Sequence, residues 1–224
     1  MSNRSKPILT TIVLVIVFGT LFNNRNENFP LYVIIGRLVY SYFSEGTKIA
    51  SKSIRNNAGM IKKVYLPKIL YPLSATIHTF IIFLISLIVW VGVDIYCKVI
   101  PSLQIFMIIP ALLLLFFLTF SVGLFLATLN VFFRDIEYLW NVFLVIIMYM
   151  CAIFYYPERL LGSQYSFILK YNPLYQIIDM VRNSFFGTPY NLWGIIYTII
   201  FSFIVFIFSL LFYNCNKDKF ILHI

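Results

Sequence analysis

The feature that most constrains the fold is a run of 32 residues, Ser102–Phe133, that contains no charged side chain. A helix needs about 20 mostly apolar residues to cross a hydrocarbon core about 30 Å thick. The composition agrees, because 61% of the residues are apolar and only 11% are charged, whereas soluble domains are about 25% charged. A soluble core of this size could not hide so much apolar surface. The sequence therefore predicts an all-α integral membrane protein.

Six segments are predicted as transmembrane helices of one domain that covers residues 1–224. Five of them contain no charged residue. The second carries Arg37, Glu45 and Lys48, and we include it because its apolar and aromatic residues continue and its charges can face the bundle or snorkel. The predicted spans are residues 7–24, 31–50, 69–93, 102–131, 138–157 and 192–213.

The distribution of basic residues predicts the orientation of the spans. An even number of spans places both termini on one side, and 11 of the 17 Lys and Arg residues then fall on the side of the termini. Cytoplasmic loops collect Lys and Arg, so both termini are assigned to the cytoplasm of a multi-pass cell-membrane protein, in the inner membrane if the cell has an outer one. This bias accounts for the net charge of +9 without nucleic acid as a partner.

The sequence lacks the residue patterns of a catalytic or metal site. It has two histidines and no Gly-x4-Gly-Lys-Ser/Thr sequence, which excludes a multi-histidine metal site and a P-loop in this chain. Acidic residues are missing from the middle of five predicted spans, which argues against an ion-coupled carrier. We expect no covalent chemistry and no bound cofactor, and energy for any transport would come from another subunit.

Two segments outside the spans carry information. Residues 51–65 predict a short amphipathic helix on the cytoplasmic side, because apolar residues recur at helical spacing and basic residues occupy the other faces. It is either an interfacial helix whose lysines bind lipid headgroups or a lever that docks on a cytoplasmic partner. Tyrosines cluster in or beside the outer segment 157–191, Tyr155 and Tyr156 among them, as headgroup anchors or as the lining of an exit path.

Short motifs occur in a fixed order along these elements. Residues 53–57 read Ser-Ile-x-Asn-Asn, and residues 61–68 read Ile-Lys-Lys-Val-x-Leu-Pro-Lys. Arg134 and Asp135 follow the fourth span, and Asn172-Pro173-Leu174 precedes Arg182 in the outer segment. From about Ile8 to Tyr213, this order resembles the membrane subunits of ABC exporters for bacterial polysaccharides, the type-2 permeases that move O-antigen, capsule or teichoic-acid chains.

The resemblance implies a homodimeric permease for lipid-linked polysaccharide, paired with two copies of a separate subunit that binds ATP and Mg²⁺. It also implies short re-entrant helices at the outer mouth and a coupling helix set into a cleft of the ATPase. The implied ATPase contacts are Ser53, Ile54, Asn56, Asn57, Ala58, Ile61, Lys62, Lys63 and Pro67. The other implied site residues are Arg134 and Asp135 at the cytoplasmic end of span 4, and Tyr155, Tyr156, Asn172, Pro173 and Arg182 at the outer gate.

Two alternatives to this function stay open at this point. The cargo could be a drug or a small lipid, or the protein could be a membrane scaffold without a transport role.

Members of the family usually begin with a cytoplasmic amphipathic helix, whereas this chain reaches Pro7 and the first predicted span almost at once. We expect a misassigned start, a truncation, or the loss of one contact with the ATPase.

Overall fold

The structure is a computed structural model that describes residues 29–63, 66–96, 106–158, 162 and 164–220. All regular secondary structure in these ranges is helical. The predicted first span, residues 7–24, lies outside the described residues. The eight described helices are α1 (Phe29–Asn56), α2 (Ala58–Ile61), α3 (Leu70–Tyr96), α4 (Ile108–Phe132), α5 (Ile136–Met150), α6 (Ser166–Lys170), α7 (Pro173–Phe186) and α8 (Leu192–Asn216).

Three helices are long and apolar enough to cross a membrane: the part of α3 from Leu70 to Leu87, all of α4 and all of α8. At 25 residues each, α4 and α8 are about 38 Å long, which exceeds a hydrocarbon core of about 30 Å. Pro110 is tolerated because it stands in the first turn of α4, where a backbone N–H has no partner within the helix. The predicted all-α class is confirmed for the described residues, and three of the predicted spans are confirmed as helices long and apolar enough to cross a membrane.

Helix α1 is longer than predicted. The helix begins at Phe29 and continues through Ser51–Asn56 without a break, so the prediction of a separate helix beginning at Ser51 is wrong. No glycine or proline interrupts these last turns, and the hydroxyls of Ser51 and Ser53 donate to carbonyls one turn earlier in the same helix. Only the four residues of α2 form a distinct helix after it.

Helix α5 is shorter than predicted. Its 15 residues are about 22 Å long, less than a full crossing, and the helix ends at Met150 instead of Pro157. Residues 151–157 form turns and bends, and Ala152 has a positive φ of 46°, a conformation that residues other than glycine rarely adopt. The apolar run from Tyr138 to Pro157 is therefore not one helix.

Successive helices run in alternating directions between two ends of the bundle, and these helices are α1, α3, α4, α5 and α8. We call the end that holds Asn56, Lys68, Arg134 and Lys217 the basic end, and the opposite end, which holds Phe29 and the first turn of α8, the far end. Helices α6 and α7 lie at the far end, where Asn172 contacts Met150 and Gln176 contacts the start of α8. One apolar cluster packs α1, α4, α5 and α7 together, and a second packs α1, α3, α4 and α8 at the basic end.

Candidate functional site

The chain forms an elbow at the basic end, residues 53–63, where the last turn of α1 is followed by α2 and the outer side is exposed. Asn57 interrupts the helix, and its side-chain nitrogen donates to the Ser53 carbonyl at 2.7 Å. Gly59, Met60 and the two lysines that follow α2 are exposed. The exposed residues of this region are Asn56, Gly59, Met60, Lys62, Lys63, Leu66 and Pro67.

The apolar face of the elbow packs on the chain itself. Ile54 is 0% exposed and lies in the basic-end cluster with residues of α3, α4 and α8, and Ile61 packs against the same cluster. Ala58 and Asn57 are half-buried. Ser53 and Ile54 were predicted to contact a partner, but both are buried in the bundle, which corrects their predicted place. The apolar face of the amphipathic pattern is therefore the face that packs against the rest of the bundle.

A charged network joins the end of α1 to α4 and α5. The side chain of Glu137, in the first turn of α5, is 12% exposed; it pairs with Lys52 at 2.7 Å and with Arg55. The buried Asn130 of α4 donates to the Glu137 carboxylate at 3.2 Å and to the Ser51 carbonyl at 2.9 Å. Arg55 in turn donates to the Asn130 side-chain oxygen at 3.2 Å. One carboxylate thus connects three helices.

Glu137 is ionised in this environment. Partial burial raises the pKa of Glu137, but hydrogen bonds from Lys52 and Asn130 and the charge of Arg55 outweigh that effect, so its pKa lies below the ordinary value. The sequence interpretation selected Arg134 and Asp135 and missed Glu137. Both selected residues are exposed, and they line an open cleft of about 360 Å³ with Arg55, Glu137 and Tyr138.

The far end is organised around Arg182 of α7, which is only 2% exposed. Its Nε and Nη2 donate to the Tyr32 carbonyl at 3.2 and 3.1 Å, and its Nη1 donates to the Ala152 carbonyl at 3.2 Å. Its guanidinium carbon lies 3.4 Å from the centre of the Tyr32 ring, in a cation–π contact. The Tyr32 hydroxyl donates to the same Ala152 carbonyl at 3.3 Å. Arg182 therefore ties α7 to α1 and to the turn after α5.

The other predicted far-end residues surround this contact. Asn172 caps α7 by accepting from Leu174 N at 3.1 Å, and its side-chain nitrogen donates to the Met150 carbonyl at 3.2 Å. Pro173 occupies the first helical position, where its missing N–H costs no hydrogen bond. The Tyr156 ring packs 4.9 Å from that of Tyr32.

The remaining predicted tyrosine has a different contact. Tyr155 donates from its hydroxyl to the Tyr149 carbonyl at 2.8 Å. The sequence interpretation missed three residues that contact the Arg182 side chain. The carbonyls of Tyr32 and Ala152 accept its hydrogen bonds, and Gly36 lies directly against its guanidinium group. Only the glycine at position 36, within a predicted span, was a local signal of a close approach.

Among the described residues there is no group of three or more His, Cys, Asp or Glu side chains that could hold a metal ion. The geometry offers instead two polar joints in an apolar bundle. One joint secures an exposed basic elbow, and the other secures a short helix at the opposite end.

Comparison with known proteins places the chain in a family. The chain is 27% identical over 217 residues to the O-antigen export system permease protein RfbA of Klebsiella pneumoniae, covering 96% of this chain and 83% of that protein. It is 22% identical over 181 residues to the protein of the same name from Myxococcus xanthus, covering 80% and 70%. The model of the family described as ABC-2 type transporter matches residues 3–186. The match spans most of the sequence, and the chain belongs to the ABC-2 type transporter family.

Proposed function

We propose that this chain is the membrane-spanning permease subunit of an ATP-driven exporter of lipid-linked polysaccharide in the bacterial cytoplasmic membrane. A second copy of the chain completes the pathway, and two copies of a separate ATP-binding subunit supply the energy. The basic end faces the cytoplasm and the far end faces outward. Membership in the ABC-2 family and the O-antigen export permeases among its relatives support this proposal.

The elbow is the observation that carries the mechanism. Met60 is 52% exposed at its tip, while Ile54 and Ile61 anchor its inner face to a cluster formed by α1, α3, α4 and α8. Close-packed interiors transmit displacement because they contain little free volume to absorb it. A subunit that pushes on the elbow therefore moves the cytoplasmic ends of several spans together. This arrangement favours a lever over an anchor for lipid headgroups.

The far end supplies the element that such a movement would act on. Helix α7 lies across the far end of the bundle. Arg182 and Asn172 hold it against α1 and the turn after α5. Tyr155 and Tyr156 belong to that turn and are half-buried. Their aromatic faces can contact sugar rings of a passing glycan without directional hydrogen bonds.

A charge on the elbow tests the proposed docking surface. The chain is co-expressed with the ATP-binding subunit of the same organism, and the amount of that subunit co-purified is measured at equal amounts of membrane-inserted protein. Met60→Glu should lower this amount more than tenfold, since an unpaired charge buried at an interface costs several kcal/mol. Met107→Glu is the matched control, because Met107 is 42% exposed but lies before α4 at the far end.

The lysines distinguish the lever from the lipid anchor. Changing Lys62 and Lys63 to Ala should lower the amount of co-purified ATP-binding subunit only slightly, since exposed charge pairs are worth about 0–1 kcal/mol. Full association by Met60→Glu, combined with loss of the ATP-binding subunit from the double-lysine variant, would refute the lever. Deletion of the chain should also stop surface display of the glycan. Normal display with retained drugs or lipids would instead identify a small cargo.

A further inference from the structure

The link between the elbow and α5 is polar. The apolar cluster of the basic end contains residues of α1, α3, α4 and α8 but, within the described ranges, none of α5. The first turn of α5 is joined to α1 through Glu137, which pairs with Lys52 and Arg55, and through Asn130. One turn further, the Trp140 indole donates to the Thr47 hydroxyl at 2.9 Å.

Helix α5 leads directly from this network to the far end. It ends at Met150, and the carbonyl of Ala152 two residues later accepts from Arg182. A displacement of α5 along its axis would therefore act on the residues that hold α7. Whether the elbow displaces α5 depends on the stiffness of the joint at its first turn.

The Glu137 joint is stiff because one carboxylate receives several charge-assisted hydrogen bonds. Such bonds are shorter and stronger than neutral ones, and here they reach the carboxylate from two different helices. Without the carboxylate, Lys52 and Arg55 would be left as neighbouring like charges on one face of α1. The joint would then open by repulsion as well as by loss of its bonds.

We propose that Glu137 is a positioning residue that transmits movement of the elbow to α5, so that ATP hydrolysis in the partner is converted into opening of the far end. This inference rests on the proposed function. A residue with only a structural role would change stability and the amount of assembled complex. A transmitting residue changes the amount of glycan moved for each ATP hydrolysed, at a fixed amount of complex.

The test uses the full complex with its ATP-binding subunit, reconstituted in liposomes with the lipid-linked glycan extracted from the same cells. ATP hydrolysis and glycan translocation are measured in the same sample. Glu137→Gln should assemble and hydrolyse ATP but translocate at least about fivefold less glycan per ATP, the low end of ordinary coupling between sites. Asp218→Asn, which removes an exposed carboxylate at the same end of the bundle, should leave the ratio unchanged.

Two further variants keep the test decisive if Glu137→Gln does not assemble. Arg55→Gln removes one partner of the carboxylate and should also lower the ratio, while combining Arg55→Glu with Glu137→Arg should restore part of it. An unchanged ratio in Glu137→Gln, or in Arg55→Gln where the first variant fails, overturns the inference. An equal fall in Asp218→Asn also overturns it. Absence of ATP-driven translocation in the wild type would instead refute the proposed function.

Discussion

The contact between Gly36 and Arg182 gives the sharpest test of the far-end geometry. A Cβ atom added at Gly36 would overlap Nη2 of Arg182 and would lie 3.3 Å from Cζ of the same side chain and 3.6 Å from Cγ1 of Ile153. The guanidinium cannot swing away freely, because it donates to the carbonyls of Tyr32 and Ala152. Gly36→Ala should therefore destabilise the protein through this one side chain.

The size of the effect follows from two opposing terms. Overpacking a filled interior costs about 1–3 kcal/mol, and replacing glycine by alanine inside a helix returns about 1 kcal/mol. Gly36→Ala should thus lower the free energy of unfolding by about 0–2 kcal/mol. In an Arg182→Met background the obstacle is a flexible apolar chain, so the same change should become stabilising by up to about 1 kcal/mol. The coupling between the two positions is then about 1–3 kcal/mol.

A double-mutant cycle measures this coupling. The four proteins are unfolded reversibly in mixed micelles, and the free energies of unfolding are compared. Gly59→Ala serves as the control, because no heavy atom lies within 4 Å of a Cβ added there and it should show no coupling to Arg182→Met. An equal cost of Gly36→Ala in both backgrounds would refute the placement of the guanidinium against α1.

Two further predictions concern single residues of the two joints. Because folding lowers the pKa of Glu137, its ion pairs stabilise the protein above the ordinary value of 4.5 and are lost as the pH falls through the lower folded-state pKa. The stability advantage of wild type over Glu137→Gln, measured as unfolding midpoints from neutral pH to about pH 3, should therefore vanish in acid. Asn172→Ala should cost about 1–2 kcal/mol, since it removes a helix cap and the bonds to Met150 and Cys151. Asn191→Ala, which removes a cap with one bond, should cost less in the same unfolding assay.

The sequence predicted best what depends on local composition. Uncharged runs identified α3, α4 and α8, because the free energy of burying a helix in hydrocarbon is a sum over its own residues. The same reasoning overestimated α5, since the apolar run continues to Pro157 while the helix ends at Met150. The turn at Ala152 is held by Arg182, 30 residues further along the chain. No window of hydropathy contains that contact.

The candidate site was also predicted only in part, because a local stretch of sequence does not contain the contacts between distant residues. The order of motifs indicated Arg134, Asn172 and Arg182, but it did not indicate the contacts that each residue makes. Helical periodicity correctly separated an apolar from a polar face in residues 51–63, and it could not say which protein covers the apolar face. The bundle itself covers Ile54, whereas Met60 and its neighbours are exposed.

The two joints attach the same pair of helices to each other at opposite ends. At the basic end, Lys52 and Arg55 of α1 pair with Glu137 at the start of α5. At the far end, the Tyr32 hydroxyl of α1 donates to the carbonyl of Ala152, just after α5. Between them the Tyr40 hydroxyl donates to the Leu144 carbonyl at 2.7 Å.

Helices joined at both ends and in the middle move together while these bonds hold. Tyr32 and Lys52 stand 20 residues apart on α1, which corresponds to about 30 Å along the helix axis. Movement that separates α1 from α5 at the basic end must break the Glu137 ion pairs, and movement that separates them at the far end must release the Ala152 carbonyl. A conformational change that separates these two helices therefore has to break directional bonds at both polar joints and also the Tyr40–Leu144 hydrogen bond between them.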